Sequence, residues 1–290
     1  MLEQPSEDKY VDVSGLRTRY WALGDEGPPM VLIHGIGASM ESWAPNVHPL
    51  ARTHRVYALD LVGFGASDKP AVPYSLSFLA QFVADFMSSQ GIAQASITGH
   101  SLGGGVALRL ALEHPEKVNK LVLVSSAGLG REGHVFFKLG SLPLVGEYLT
   151  RPNRERTAQF LAEMLYDPEM VTEELVDLHY NLMSRPGAQE AYLSALRSIA
   201  TVFGTRKTVL RSIVDNLDRI TAPTLVVWGE QDGILPVAHA HVAAEAIPNV
   251  RLHIFQECGH YVQLEKADAF NALLLEFLNS ESANKEANDG

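Results

Sequence analysis

Gly99-His100-Ser101-Leu102-Gly103, continued by Gly104 and Gly105, follows an apolar run at 95–98 and precedes a helix-like stretch at 102–114. A G-x-S-x-G match carries meaning only in that setting of strand, sharp turn and helix. The chain must reverse within about one residue, so side chains two positions either side of the tip would collide, and glycine suits both places. Ser101 is left at the tip in a strained conformation, its oxygen raised at a helix N-terminus where the dipole favours developing negative charge. The competing reading is a glycine-rich turn with an incidental serine.

Outward from this turn, further short runs rich in Val, Leu and Ile occur at 30–33, 55–59, 120–124, 224–228 and 251–255. Most lack polar alternation, as strands covered on both faces do. Helix-like stretches at 76–90, 102–114, 237–246 and 261–278 separate them. The alternation predicts an α/β fold: a mostly parallel twisted sheet with helices on both faces. Residues 10–13 and 16–22, around Ser14-Gly15, read as a hairpin that adds an antiparallel edge.

The pattern stops between about 128 and 214. Apolar residues there recur at helical spacing, Pro143, Pro152, Pro168 and Pro186 punctuate the stretch, and no convincing strand is read. The predicted division is therefore a split core (1–128 and 214–279), an inserted helical cap (129–213) and a disordered tail (280–290).

A serine hydroxyl needs a base, usually a histidine oriented by an acid. Of 11 histidines, His260 follows the last strand run, at the sheet edge where a parallel arrangement also puts the elbow. His48, His54, His114, His239 and His241 read as solvated or packing residues. Asp232 follows the run at 224–228 and is the predicted acid; Glu230 lies closer to the strand end and is expected to point elsewhere. Asp60 also follows a strand, but in a run through Asp68 that reads as a structured loop. The predicted catalytic set is Ser101, Asp232 and His260. For the oxyanion of a tetrahedral intermediate, the expected donors are the backbone N–H of Leu102, just after the nucleophile, and of Ile36 in the loop His34-Gly35-Ile36-Gly37. His34 reads as a buried anchor of that loop.

These landmarks, with Trp228-Gly229 and Gly259-His260, resemble the α/β-hydrolase superfamily over about residues 9–279. The resemblance implies that fold, a Ser-His-Asp triad and no metal or organic cofactor. Within the superfamily the cap is similar to that of meta-cleavage-product hydrolases, which cleave a carbon–carbon bond in dienoates; Met164-Leu165-Tyr166-Asp167 and Thr172-Glu173-Glu174-Leu175 carry the likeness. That family usually has Arg-Trp after the Thr-Glu-Glu-Leu run, where this chain has His179-Tyr180. It usually has Asn before the nucleophile, where this chain has His100. An imidazole does not replace arginine's bidentate fork, so the expectation moves to a carboxylesterase acting on a small-molecule ester. Carbon–carbon hydrolysis is the alternative, and a non-catalytic ligand receptor on the same fold a further one. Phe136, Met164, His179, Tyr180 and Met183 are the expected substrate-binding residues; Phe137, Leu142 and Tyr148 are further cap candidates.

Composition bounds the partners. Lys and Arg number 23 and Asp and Glu 34, a net charge of −11, which argues against nucleic acid. No apolar run reaches the ~20 residues of a membrane span. The polar, acidic start lacks the pattern of a signal peptide, and one cysteine, Cys258, forms no internal disulfide. A cytoplasmic protein is expected, with a homodimer left open.

Overall fold

The computed structural model describes residues 4–280; apart from Ser280, the expected tail lies outside them. The strands, in chain order, are β1 (Lys9–Val13), β2 (Leu16–Leu23), β3 (Pro29–Ile33), β4 (Arg55–Leu59), β5 (Ala95–His100), β6 (Val118–Val124), β7 (Ala200–Thr201), β8 (Gly204–Thr205), β9 (Thr224–Gly229) and β10 (Val250–Phe255). Eight of them form one sheet in the order β1-β2-β4-β3-β5-β6-β9-β10. The β1–β2 and β2–β4 pairs are antiparallel and the rest parallel. Every residue of β5 and β9 is buried, which accounts for the continuous Leu-Val-Val-Trp run of β9.

Helices cover both faces. Leu76–Ser89, Leu102–Glu113 and Ala238–Ala246 build one core layer with residues such as Phe82, Val106 and Ala240. Ala44–Ala51 and Ala267–Asn279 build the other, around Trp43, Leu50 and Phe270. Between β6 and β9 the chain leaves the sheet and forms helices from Val135–Gly140 to Lys207–Val214.

Two expectations need correction. Residues 200–205, read as helical, form the antiparallel β7–β8 hairpin; β-branched Thr201, Val202 and Thr205 favour extended backbone, over a length too short for periodicity to register. The helix expected at 261–278 is two helices, Val262–Glu265 and Ala267–Asn279. They break at Lys266, whose φ of −124° and ψ of 36° are not helical, next to a Glu265 carboxylate turned back onto the N–H groups of Gly259 and Tyr261.

The parallel strands all end at one edge of the sheet. The loops after β3, β4, β5, β9 and β10 emerge there together, and this brings residues more than 200 positions apart in sequence into one neighbourhood.

Candidate active site

Ser101 sits between β5 and the helix Leu102–Glu113 with φ 53° and ψ −116°. A non-glycine residue in that region stores about 1–3 kcal/mol. Four backbone bonds hold it there: Ser101 N–H donates to Val124 O (2.9 Å), and Ser101 O accepts from Gly104 (3.0 Å), Gly105 (3.2 Å) and Ala127 (2.9 Å). The flanking glycines are required by contact. A Cβ at Gly99 would run into the Gly103 carbonyl, and one at Gly103 into the carbonyls of Ile33 and His34.

His260 Nδ1 lies 2.8 Å from Asp232 Oδ2, and both side chains are shielded from solvent. Asp232 Oδ1 accepts the backbone N–H groups of Ile234 (2.8 Å) and Leu235 (2.9 Å). Both carboxylate oxygens are therefore committed, and the imidazole edge facing them is fixed. Glu230 is exposed and hydrogen-bonds Gln231. His100, beside Ser101, bonds through Nε2 to the His260 carbonyl (3.0 Å), and their rings lie 4.8 Å apart. The histidine loop is thereby tied to the elbow. Ser101 and His260 line the same cavity, and the Ser101 hydroxyl makes no hydrogen bond among the described residues, which leaves it free to turn.

The expected oxyanion donors lie beside Ser101. Ile36 and Leu102 line a cavity together with Ser101, and neither backbone N–H has a partner among the described residues. The Leu102 amide opens its helix and has no intrahelical acceptor. Gly35 lets the loop approach closely: a Cβ there would stand 3.2 Å from Ser101 Cβ.

That loop is braced from behind. His34 Nε2 accepts the Leu61 N–H (3.0 Å) and Nδ1 bonds the Gly35 carbonyl (2.7 Å), so the ring is the neutral Nδ1–H tautomer. Asp60 accepts from Met40 N–H (2.9 Å) and Ala66 N–H (2.8 Å) and pairs with Arg19; Arg19 also pairs with Asp8 and Glu41. Asp60 thus organises a loop, as read from the sequence.

Burial holds His34 well below the usual histidine range, at about 4. A histidine depressed in the folded state contributes stability that is present above pH ~6.5 and is lost as pH falls through 4. Asp60 works in the opposite sense: burial and the nearby Glu41 raise it to about 6, so its contribution is present below pH ~4 and lost as pH rises through 6. The effect of His34 is isolated by comparing wild type with His34→Gln. Denaturant unfolding at pH 7 and pH 4 is expected to show the wild type losing about 3 kcal/mol more than the variant. Equal losses would mean the His34 ring is not held neutral by the fold.

Ser101 stands between two cavities. One, of about 620 Å³, has aliphatic walls including Leu196, Ile199, Ile234 and Leu235, with Lys138 and Arg131 also lining it. The other, of about 810 Å³, is lined by Phe160, His179, Met183, Tyr192, Tyr261 and others, with Arg151 and Arg156 among them. Burial lowers His179 to about 4, so that imidazole is uncharged near neutrality. Of the expected substrate-binding residues, Phe136, Met164, His179 and Met183 line the second cavity. Tyr180 does not; one helical step beyond His179 turns it about 100° away. Phe137 lines both cavities, Leu142 lines neither, and Tyr148 is exposed. Tyr192 and Tyr261 were missed. Adjacency to His260 could have flagged Tyr261, whereas nothing in the local sequence marks Tyr192. Among the described residues no cluster of three or more His, Cys, Asp or Glu could hold a metal ion, and no helix is long and apolar enough to cross a membrane.

Residues 28–267 match the alpha/beta hydrolase fold family. A 2-hydroxymuconate semialdehyde hydrolase of Pseudomonas putida is 33% identical, over 95% of this chain and 95% of its own. The dihydrolipoyllysine-residue acetyltransferase component of the acetoin cleaving system of Cupriavidus necator is 32% identical, over 93% of this chain and 68% of its own. Among solved structures, a meta-cleavage product hydrolase from Pseudomonas fluorescens IP01 complexed with acetates superposes with a TM-score of 0.80 at 31% identity, covering 93% of this chain and 97% of that one.

Proposed function

The chain belongs to the alpha/beta hydrolase family, and on that premise we propose that it is a serine esterase for small-to-medium, largely apolar carboxylic esters, working without a metal or organic cofactor. The observation that carries the ester reading is a neutral imidazole at the place in the larger cavity where the resemblance calls for a cation. His179 stands where the resemblance calls for an arginine, faces the cavity, and is neutral near pH 7. An ester loses little beside that imidazole, whereas a carboxylate set against it would lack the bidentate cation that an arginine there would supply.

In this reading Ser101 Oγ turns towards His260 Nε2, gives up its proton there and attacks the ester carbonyl carbon. The oxyanion accepts hydrogen bonds from the Ile36 and Leu102 amides. Protonated His260, steadied by Asp232, returns the proton to the leaving alcohol. A water deprotonated by His260 then attacks the acyl-enzyme carbonyl, His260 returns that proton to Ser101 Oγ as the acyl–oxygen bond breaks, and the acid is released. Residues 129–213 act as a cap over the split core of 1–128 and 214–279, contributing Phe136, Met164, His179 and Met183 to the cavity. A cytoplasmic location fits the lone Cys258, a buried free thiol.

Carbon–carbon bond hydrolysis is the second reading. It is favoured by the likeness to 2-hydroxymuconate semialdehyde hydrolase and by Arg151 and Arg156 lining the larger cavity, where a carboxylate far from Ser101 could meet them. The test is kcat/KM over p-nitrophenyl esters of increasing chain length beside a ring-fission dienoate. A short-to-medium-chain ester is expected to exceed the dienoate by at least about tenfold. A dienoate turned over faster than every ester would replace the first reading with the second.

A further inference from the structure

The loop that carries His260 is fastened to the helical segment as well as to the sheet. His260 N–H donates to the Met164 carbonyl (2.7 Å). The Glu265 carboxylate accepts the N–H groups of Gly259 (3.0 and 3.1 Å), Tyr261 (3.2 Å) and Tyr166 (2.7 Å). Two of these donors flank His260 and the third belongs to the segment between β6 and β9. Gly259 makes the approach achievable, since a Cβ there would lie 2.5 Å from Met164 O and 2.8 Å from Tyr166 N. Tyr261 and Leu165 pack in one apolar cluster beside this seam.

We propose that Glu265 is a positioning residue: its carboxylate clamps the backbone on both sides of His260 to residues 164–166, so the imidazole is aimed only while that helical segment is seated. The proposal rests on the Ser101-Asp232-His260 reading. Hydrogen bonds from three N–H groups to one carboxylate are charge-assisted and stronger than neutral ones. They also satisfy three amides that would otherwise be orphaned at a seam between loops. Asp232 restrains the ring itself, whereas Glu265 restrains the peptide planes on which the ring is mounted. Burial raises the pKa of Glu265, opposed by its N–H partners. Movement of residues 164–166 would reach His260 through this clamp, without any contact between the moving residues and the reacting atoms.

The test uses the full chain and three variants, Glu265→Ala, Glu265→Gln and Tyr166→Pro. The last removes the donor from the helical segment together with the Tyr166 side chain, and Leu165, with φ −102° and ψ 144°, already has the extended backbone required before proline. Melting temperature, kcat and KM on p-nitrophenyl butanoate, and the rate of labelling by a fluorophosphonate are measured on each. In Glu265→Ala both kcat and the labelling rate are expected to fall at least about tenfold while KM stays within about twofold, the signature of a misaimed base. Glu265→Gln, which keeps an acceptor oxygen, should fall less, and Tyr166→Pro should fall by several-fold. If Glu265→Ala does not fold, the other two variants decide. Variants that melt earlier but keep kcat and labelling within twofold of wild type would reduce Glu265 to a structural brace and overturn the proposal. A wild type that neither labels nor hydrolyses ester overturns the triad reading instead, and is distinguished by failing before any variant is compared.

Discussion

Ser101→Ala is expected to lower kcat by about 10⁶-fold and to abolish fluorophosphonate labelling, with KM little changed. The loss is expected to be large because, in the proposed reading, Ser101, His260 and Asp232 act as one unit, and without the oxygen the other two have nothing to activate. The fold should persist. The bonds that hold residue 101 in its strained conformation are backbone bonds to Val124, Gly104, Gly105 and Ala127, and alanine keeps them all. Both cavities keep their walls, so binding should survive. The measurement is steady-state turnover with gel detection of the covalent adduct. Equal labelling of wild type and variant would show that another residue is the nucleophile. A folded wild type that binds ester without labelling or turnover would support a receptor on this scaffold.

Asp232→Asn should cost about 10⁴-fold in kcat, for a reason specific to this site. The Ile234 and Leu235 amides both donate to Oδ1, so an asparagine must put its carbonyl oxygen there. Its NH₂ then occupies the Oδ2 position, facing His260 Nδ1 at 2.8 Å. Two donors cannot face each other, so Nδ1 must give up its proton and Nε2 must carry one. That tautomer cannot accept the proton of Ser101. Single-turnover acylation with a p-nitrophenyl ester isolates the step, and a loss below tenfold would point to a different acid.

The elbow was legible in sequence because its constraints are local. Strand, glycine, serine and glycine each exclude alternatives within five residues, and the collisions around Gly99 and Gly103 are the physical form of that motif. Asp232 and His260 were legible for a topological reason: parallel strands end at one edge, so the loops after β9 and β10 must open beside the loop after β5. The cavity walls were only partly legible. His179 and Met183 sit four residues apart on one helical face, but whether Tyr180 or Tyr192 completes the wall depends on how helices are turned against one another, which no window of sequence contains. The β7–β8 hairpin escaped because two residues per strand carry no periodicity. Asp60 was read as a loop organiser, yet its partner Arg19 lies 41 positions away on β2, and nothing in either neighbourhood announces the other.

The two cavities meet at Ser101 and share little else; Ile36 and Phe137 are the other residues common to both linings. On the proposed reading, a molecule cut here would straddle Ser101, one half gauged by aliphatic walls and the other by aromatic rings and an imidazole. Substitutions in one chamber should therefore add to those in the other rather than interfere. Selection could retune the taste for one fragment while leaving the other untouched, so a scaffold of this kind can drift between substrates by half a molecule at a time.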